Sequence, residues 1–215
     1  MSTILYVDLE YFSPAAMSAF VALNEKAMAF DLVTVDLKSG AQRVREYADL
    51  SLTSRVPTLA HDGFSVSESS AIAEYLDEAV AGAPLFPVDS RQRTQARQLQ
   101  AWLRSDLLAL RKQRPSDTIF RPSVVEPLDA EAQFAAAKLV NAIERLLPEG
   151  ATQLFDSWSI ADFDAALMLA RMTRNGDPVP ERLARFSDRQ LQRPSFAGWP
   201  ALRNRRSVID VAHGV

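Results

Sequence analysis

The sequence contains no cysteine. That excludes disulfides, thiolate–metal sites and any mechanism with a protein cysteine as nucleophile. Histidine is nearly absent as well: His61 and His213 are the two in the chain. No His-rich metal site can be built from them, and a Ser-His triad is a poor fit. His61 stands in PTLAHDGFSV, before an Asp-Gly pair, and reads as a solvated loop residue without a catalytic role. No metal is expected. No apolar run is long enough to cross a bilayer. The opening MSTILYVDLEYF lacks the basic start and long apolar stretch of a secretory signal. A cytoplasmic protein with no membrane partner is the expectation. Internal repeats and low-complexity tracts are also missing.

What is present is ordinary for a soluble globular chain. Of 215 residues, 47% are apolar and 24% charged, with a net charge of −3. The length suits one large domain or two small ones. The charge argues against a general polyanion binder, so no nucleic-acid partner is expected.

The first 80 or so residues alternate strand and helix patterns. TILYVDL is rich in β-formers. SPAAMSAFVALNEKA has Ser13 as N-cap, Pro14 at the first helical position, and Met17, Phe20 and Val21 at helical spacing. AFDLVTVDL alternates with period two. Residues 40–49 read as a short helix, VPTLAHDGFSVS as a hairpin turned at Asp62-Gly63, and residues 69–81 as a helix. The order βαβαββα predicts a parallel pair with a right-handed crossover, then an antiparallel hairpin, all in one mixed four-stranded sheet. GAPLFPVDS, residues 82–90, reads as a linker. From residue 91 to 215 the pattern is all-helical, with long helices expected over 90–114, 128–147 and 158–172.

Three short motifs carry candidate chemistry, and each has a plain structural alternative. In SRVPTL, a cis Val56-Pro57 bond would turn the Val56 backbone outward to pair a peptide-like ligand. The alternative is a trans proline at an edge strand. In FSVSESSAIAEYL, Glu68 and Ser69 open a helix whose free N–H groups and positive dipole end suit a carboxylate, while Glu68 suits an ammonium. Together they would hold both charges of an α-amino acid. The alternative is capping alone, by Ser67 or Glu68. In YFSPAAM, Ser13 precedes a helix start that stabilises a nearby anion. The alternative is a plain N-cap, with Tyr6 and Tyr11 as rival hydroxyls.

On the helix expected over 90–114, Leu99, Trp102, Leu103 and Leu110 form a stripe that includes Asp106. A carboxylate there is either ion-paired with an Arg or a ligand contact. Residues 91–114 hold seven basic side chains and one acidic, Arg91, Arg97, Arg104 and Arg111 among them. A nucleic-acid face, a solvated face and interdomain ion pairs all fit that excess.

The order and spacing of Ser13, the Val-Pro pair and ESSAIAEYL resemble the glutathione transferases, over essentially the whole chain. SIADFDAAL, residues 159–167, looks like that family's N-capping box and hydrophobic staple, with Ser159 capping, Asp162 reaching back and Trp158 packing on Phe163. RVP, SESSAIAEYL and RQxQAWLRSDL are most similar to its bacterial, serine-type, YfcF-like branch. The resemblance implies a thioredoxin-like N-terminal domain (1–81), a linker (82–90) and a helical-bundle C-terminal domain (91–215). It implies glutathione as co-substrate, no metal, and a homodimer active in detoxification or oxidative stress. Glu68 and Ser69 would hold the γ-glutamyl end of glutathione, and Val56, before Pro57, its cysteinyl part. Arg55 and, more weakly, Lys38 would meet the glycine carboxylate. Asp106 would reach the glutathione ammonium, across a dimer interface. Ser13 would donate to the sulfur. A pocket for a small apolar electrophile would involve Tyr11, Trp102 and Arg104. Cysteine-type members carry Cys where Ser13 stands, so enzyme-thiol mixed disulfides are excluded here. The Ser-Ser-Cys start of the maleylacetoacetate isomerases is absent, which argues against that activity. A non-catalytic interaction module on the same fold is the rival reading.

Overall fold

The computed structural model describes residues 2–121 and 126–203. The chain divides into two compact units, one of residues 2–85 with 193–203 and one of Phe86–Gln192. The helical unit thus stops short of the described C-terminal segment, which belongs with the first unit.

The first unit is built on four strands: β1 (Thr3–Asp8), β2 (Asp31–Val35), β3 (Thr58–His61) and β4 (Phe64–Ser67). Their order is β2-β1-β3-β4. β1 and β2 are parallel, and the other two pairings are antiparallel. Asp62 and Gly63, at φ 49° and 85°, make the tight turn between β3 and β4. His61 therefore ends a strand instead of lying in a loop, and its Nδ1 meets the Tyr75 hydroxyl at 2.8 Å. Helix α1 (Pro14–Glu25) is buried from Ala16 to Leu23. Helix α2 (Arg45–Ala48) is a single turn after a 3-10 turn at Ala41–Arg43. Helix α3 (Ser69–Ala79) buries Ile72, Ala73 and Leu76 and packs on α1. Below them the buried Lys26 and Asp77 pair at 3.4 Å.

The returning segment lies on α1. Trp199 is fully buried, with its ring edge-on to Phe20 at 5.2 Å and to Tyr11 at 5.4 Å. Arg193 bonds Glu25 through Nε and Nη2 at 3.0 and 2.8 Å.

The second unit holds α4 (Ser90–Ser105), α5 (Leu108–Gln113), α6 (Ala130–Leu146), α7 (Ile160–Thr173) and α8 (Glu181–Leu191). α7 is buried along almost its whole length and packs against α4, α6 and α8. Its start is fixed by the fully buried Asp162. Oδ2 accepts from the Ser159 N–H at 2.9 Å and hydroxyl at 3.0 Å, and Oδ1 accepts from the Leu154 N–H at 2.6 Å. The capping box read from SIADFDAAL is present.

The helix expected over 90–114 is two helices. Asp106 ends α4 with extended backbone, and Leu107 follows in the left-handed region at φ 60°. The Asp106 carboxylate holds the corner, accepting from the Leu107 N–H at 2.7 Å and the Trp102 indole at 2.9 Å.

Candidate functional site

Strand register gathers the candidate residues of the first unit at one end of the sheet. Thr58 pairs with Tyr6 on one side and Ser67 on the other. The residues just before Thr58 (Val56, Pro57), just after Ser67 (Glu68, Ser69) and just after β1 (the loop leading to Ser13) therefore share the C-terminal end of β1. The Val56-Pro57 and Glu68-Ser69 segments are the two ends of one hairpin, while the loop to Ser13 is more distant in sequence. The sheet alone brings them together.

Ser13 is half-buried at the N-cap of α1 and its Oγ accepts from the Ala16 N–H at 3.2 Å. Among the described residues that oxygen donates to nothing, so its proton points to no protein acceptor. Its own N–H donates to Asp8 Oδ1 at 3.1 Å, and the Phe12 N–H donates to Asp8 Oδ2 at 2.6 Å. Asp8 is 6% exposed. Burial pushes its carboxyl above the usual range, against the lowering effect of those two N–H bonds. Tyr11, in the same loop, takes φ 57°, and its carbonyl accepts from the Trp199 indole at 3.1 Å.

The Val56-Pro57 bond is cis, the alternative that the motif alone left open and that the family resemblance implies. The carbonyl of the exposed Arg55 accepts from three hydroxyls: Tyr47 at 2.7 Å, Thr58 at 3.0 Å and Ser51 at 3.2 Å. They fix the peptide that leads into Val56. Among the described residues Val56 has no backbone hydrogen bond, so its N–H and C=O remain available as a strand edge.

Glu68 takes φ 74° and ψ 115° at the start of α3, and its side chain does not cap the helix. Ser67 Oγ accepts from Thr53 Oγ1 at 3.1 Å. Among the described residues the exposed Glu68 carboxylate has no partner. Ser69, next to it, is buried.

The remaining candidates are already engaged within the protein. Lys38 is an exposed surface residue bonded to Glu10 at 2.8 Å. Tyr6 stands edge-on to Tyr47 at 5.7 Å. Asp106 pairs with Lys138 of α6. That contact, the Leu107 N–H and the Trp102 indole together hold its carboxyl down to about 2. Trp102 also lines a cavity of about 430 Å³ between α4 and α6. Arg104 pairs with Asp164 at 3.1 Å. The basic excess after residue 90 is largely spent inside the second unit. Arg114 chelates Asp177 at 2.7 Å, Arg93 Nε bonds the Pro87 carbonyl at 3.0 Å, and Arg97 stacks over Phe86 at 5.8 Å. That favours internal pairing over a polyanion face.

Asp8, Tyr47, Ser51, Thr58 and Trp199 went unread in the sequence as site-builders. Only Asp8 carried a signal, as a charge closing an apolar strand.

A mixed sheet of this order, entered by a serine-capped helix and followed by a helical unit, defines a thioredoxin-like fold with an appended helical unit. Residues 12–79 match the family description "Glutathione S-transferase, N-terminal domain", and residues 89–205 match "Glutathione S-transferase, C-terminal domain". The chain belongs to the glutathione S-transferase family, and it is a transferase enzyme of that family. It is similar to the maleylacetoacetate isomerase of Dictyostelium discoideum, at 30% identity over 183 residues, 82% of this chain and 84% of that one. Glutathione S-transferase 3 of Zea mays is 27% identical over 210 residues, 93% of this chain and 91% of its own. A glutathione transferase homologue from Burkholderia, solved with bound glutathione, superposes with a TM-score of 0.77 at 43% identity, covering 95% of this chain and 98% of that one.

Proposed function

We propose that the enzyme binds glutathione at the sheet end and stabilises its thiolate with Ser13 for attack on a small apolar electrophile, a peroxide or a disulfide. The observation that carries this reading is the coincidence of two unspent groups at one end of one sheet. They are the Ser13 hydroxyl proton at the start of α1 and the Glu68 carboxylate held in a left-handed conformation at the start of α3. Glu68 takes the glutathione ammonium. The α3 N-terminus, with Ser69, takes the γ-glutamyl carboxylate. Val56 pairs with the cysteinyl backbone, and the exposed Arg55 meets the glycine carboxylate. Tyr11 borders the sulfur. In conjugation the thiolate forms a bond to the electrophilic atom and the leaving group departs with its electron pair. Ser13 keeps its own proton throughout.

The magnitudes suffice. A free thiol with pKa ~8.5 is only about 3% ionised near neutral pH. Lowering it by roughly two units takes ~2.7 kcal/mol of differential stabilisation. A charge-assisted hydrogen bond supplies about 1.5–3 kcal/mol and a helix N-terminus ~0.5–2. Bound glutathione is then mostly thiolate.

The test is a pH titration of the thiolate ultraviolet band of glutathione bound to wild type and to Ser13→Ala. The expected result is a low thiol pKa in wild type that climbs by about one to two units in the variant, the range a single charged hydrogen bond covers. Identical titrations reduce Ser13 to a cap and make Tyr6 or Tyr11 the candidate donor. Failure of wild type to bind glutathione leaves the fold as an interaction module.

A further inference from the structure

Ser13 is held where it is by residues other than its own helix. The loop from Leu9 to Ser13 makes a sharp reversal that leaves Tyr11 in the left-handed region at φ 57°. For a side chain larger than glycine that conformation costs on the order of 1–2 kcal/mol, so the surroundings must hold it. Two groups do. The Asp8 carboxylate spans the reversal, with one oxygen on the Phe12 N–H at 2.6 Å and the other on the Ser13 N–H at 3.1 Å, while its backbone carbonyl takes the Tyr11 N–H at 3.1 Å. From the other side the Trp199 indole donates to the Tyr11 carbonyl at 3.1 Å.

Resting on the function proposed above, we propose that Asp8 is the positioning residue of the reaction. Its ionised carboxylate fixes the Phe12–Ser13 backbone so that the Ser13 hydroxyl faces the sulfur, and its protonation or removal releases that aim.

Three features support this. Asp8 is buried, yet it forms no ion pair among the described residues. Its charge is met by the loop's own peptide N–H groups instead. Two peptide N–H groups approach its two different oxygens, so only a carboxylate satisfies both. Asparagine would set its amide hydrogens against one of them. The charged groups around it do not neutralise it. Glu10 opposes its ionisation, and Asp36 and Lys38 line the same small cleft, with Lys38 bonded to Glu10. Burial is the largest influence on the carboxyl and raises its pKa. The sign follows from the raised value: the fold favours the protonated form over the ionised one more than the unfolded chain does. Its contribution to stability is present below the unfolded value and is lost as pH rises through the raised folded value. A buried carboxylate that gives both oxygens to the loop carrying the proposed catalytic hydroxyl is placed to aim that hydroxyl.

The experiment titrates the bound glutathione thiol in wild type, Asp8→Asn, Trp199→Phe and Ser13→Ala, with glutathione affinity and thermal unfolding measured alongside. The expected result for Asp8→Asn is a cooperatively folded protein that binds glutathione within a few-fold of wild type. Its thiol pKa should rise by about one unit, a tenfold loss of thiolate on the acid side. Trp199→Phe keeps an aromatic ring, smaller than the indole, and removes the donor, so the thiol pKa should move the same way by less. An Asp8→Asn protein that titrates as wild type does overturns the proposal and leaves Ser13 in place. Should Asp8→Asn fail to fold, Asp8→Glu, which keeps the charge but moves the oxygens off the Phe12 and Ser13 N–H groups, decides, and a wild-type titration there overturns it equally. If wild-type protein itself fails to lower the thiol pKa, the function proposed above falls, and this proposal falls with it.

Discussion

At Glu68 the chain accepts a left-handed backbone that any residue with a Cβ resists. The side chain gains no cap and no partner within the described protein in return. Local strain without local compensation is the pattern expected where a residue is kept for a ligand. Glu68→Gly should therefore leave the melting temperature unchanged or higher. The same change should weaken glutathione by roughly 10- to 100-fold, the value of one charged hydrogen bond. Calorimetry of both quantities decides it, and an unchanged glutathione affinity would remove Glu68 from the site. The Ser13, Val56-Pro57 and Glu68-Ser69 segments were readable because each sits at a boundary that a strand or helix pattern marks. Asp8 was not, because nothing in YVDLEYF says that a carboxylate will turn back onto its own loop. Trp199 was not, because its partner Tyr11 lies 188 residues away.

Elements show where periodicity serves and where it misleads. The βαβαββα order was legible because apolar spacing switches cleanly between two and 3.6. The corner at Asp106 was not, since RSDLLAL reads as unbroken helix while one carboxylate folds it. Lys138 is the largest influence on that carboxyl, which lies at about 2. Its folded value is depressed, so its contribution to stability is present above the unfolded value and lost as pH falls from about 4 toward 2. Lys138→Met should bring the Asp106 resonance back toward the ordinary carboxylate range in a carboxyl NMR titration. A resonance still titrating near 2 would show that the Leu107 and Trp102 bonds suffice. Asp162 makes a heavier claim. It is fully buried and takes three hydrogen bonds at the start of the central helix. Asp162→Ala leaves those donors unpaired and should cost about 2–4 kcal/mol, read from the denaturant midpoint. A loss under about 1 kcal/mol would mean that water replaces the carboxylate.

At the scale of the molecule, the unit that carries the proposed glutathione site is discontinuous in sequence. Residues 193–203 close it, through Trp199 on Phe20 and Tyr11 and through Arg193 on Glu25. A chain ending at Gln192 should lose glutathione binding and the first unit's stability together, while α7 keeps its Asp162 cap. Fluorescence-monitored unfolding with and without glutathione would read both. In the intact chain, glutathione at one hundred times its Kd should add about 2.7 kcal/mol of stability. Binding by the truncated chain at full affinity would show that the returning segment is dispensable. The periodicity of the helical half gave no hint of this return, since Pro194 to Trp199 are apolar and turn-forming without naming a partner.

The Trp199–Tyr11 contact also orders events in time. Synthesis proceeds from the N-terminus, so the sheet, Ser13 and Glu68 leave the ribosome long before the indole that closes their loop. A nascent chain carries the parts of its site without the last of the groups that hold it. The proposed site closes only after Trp199 has emerged, and a chain cut short before it is left with a site that has not closed.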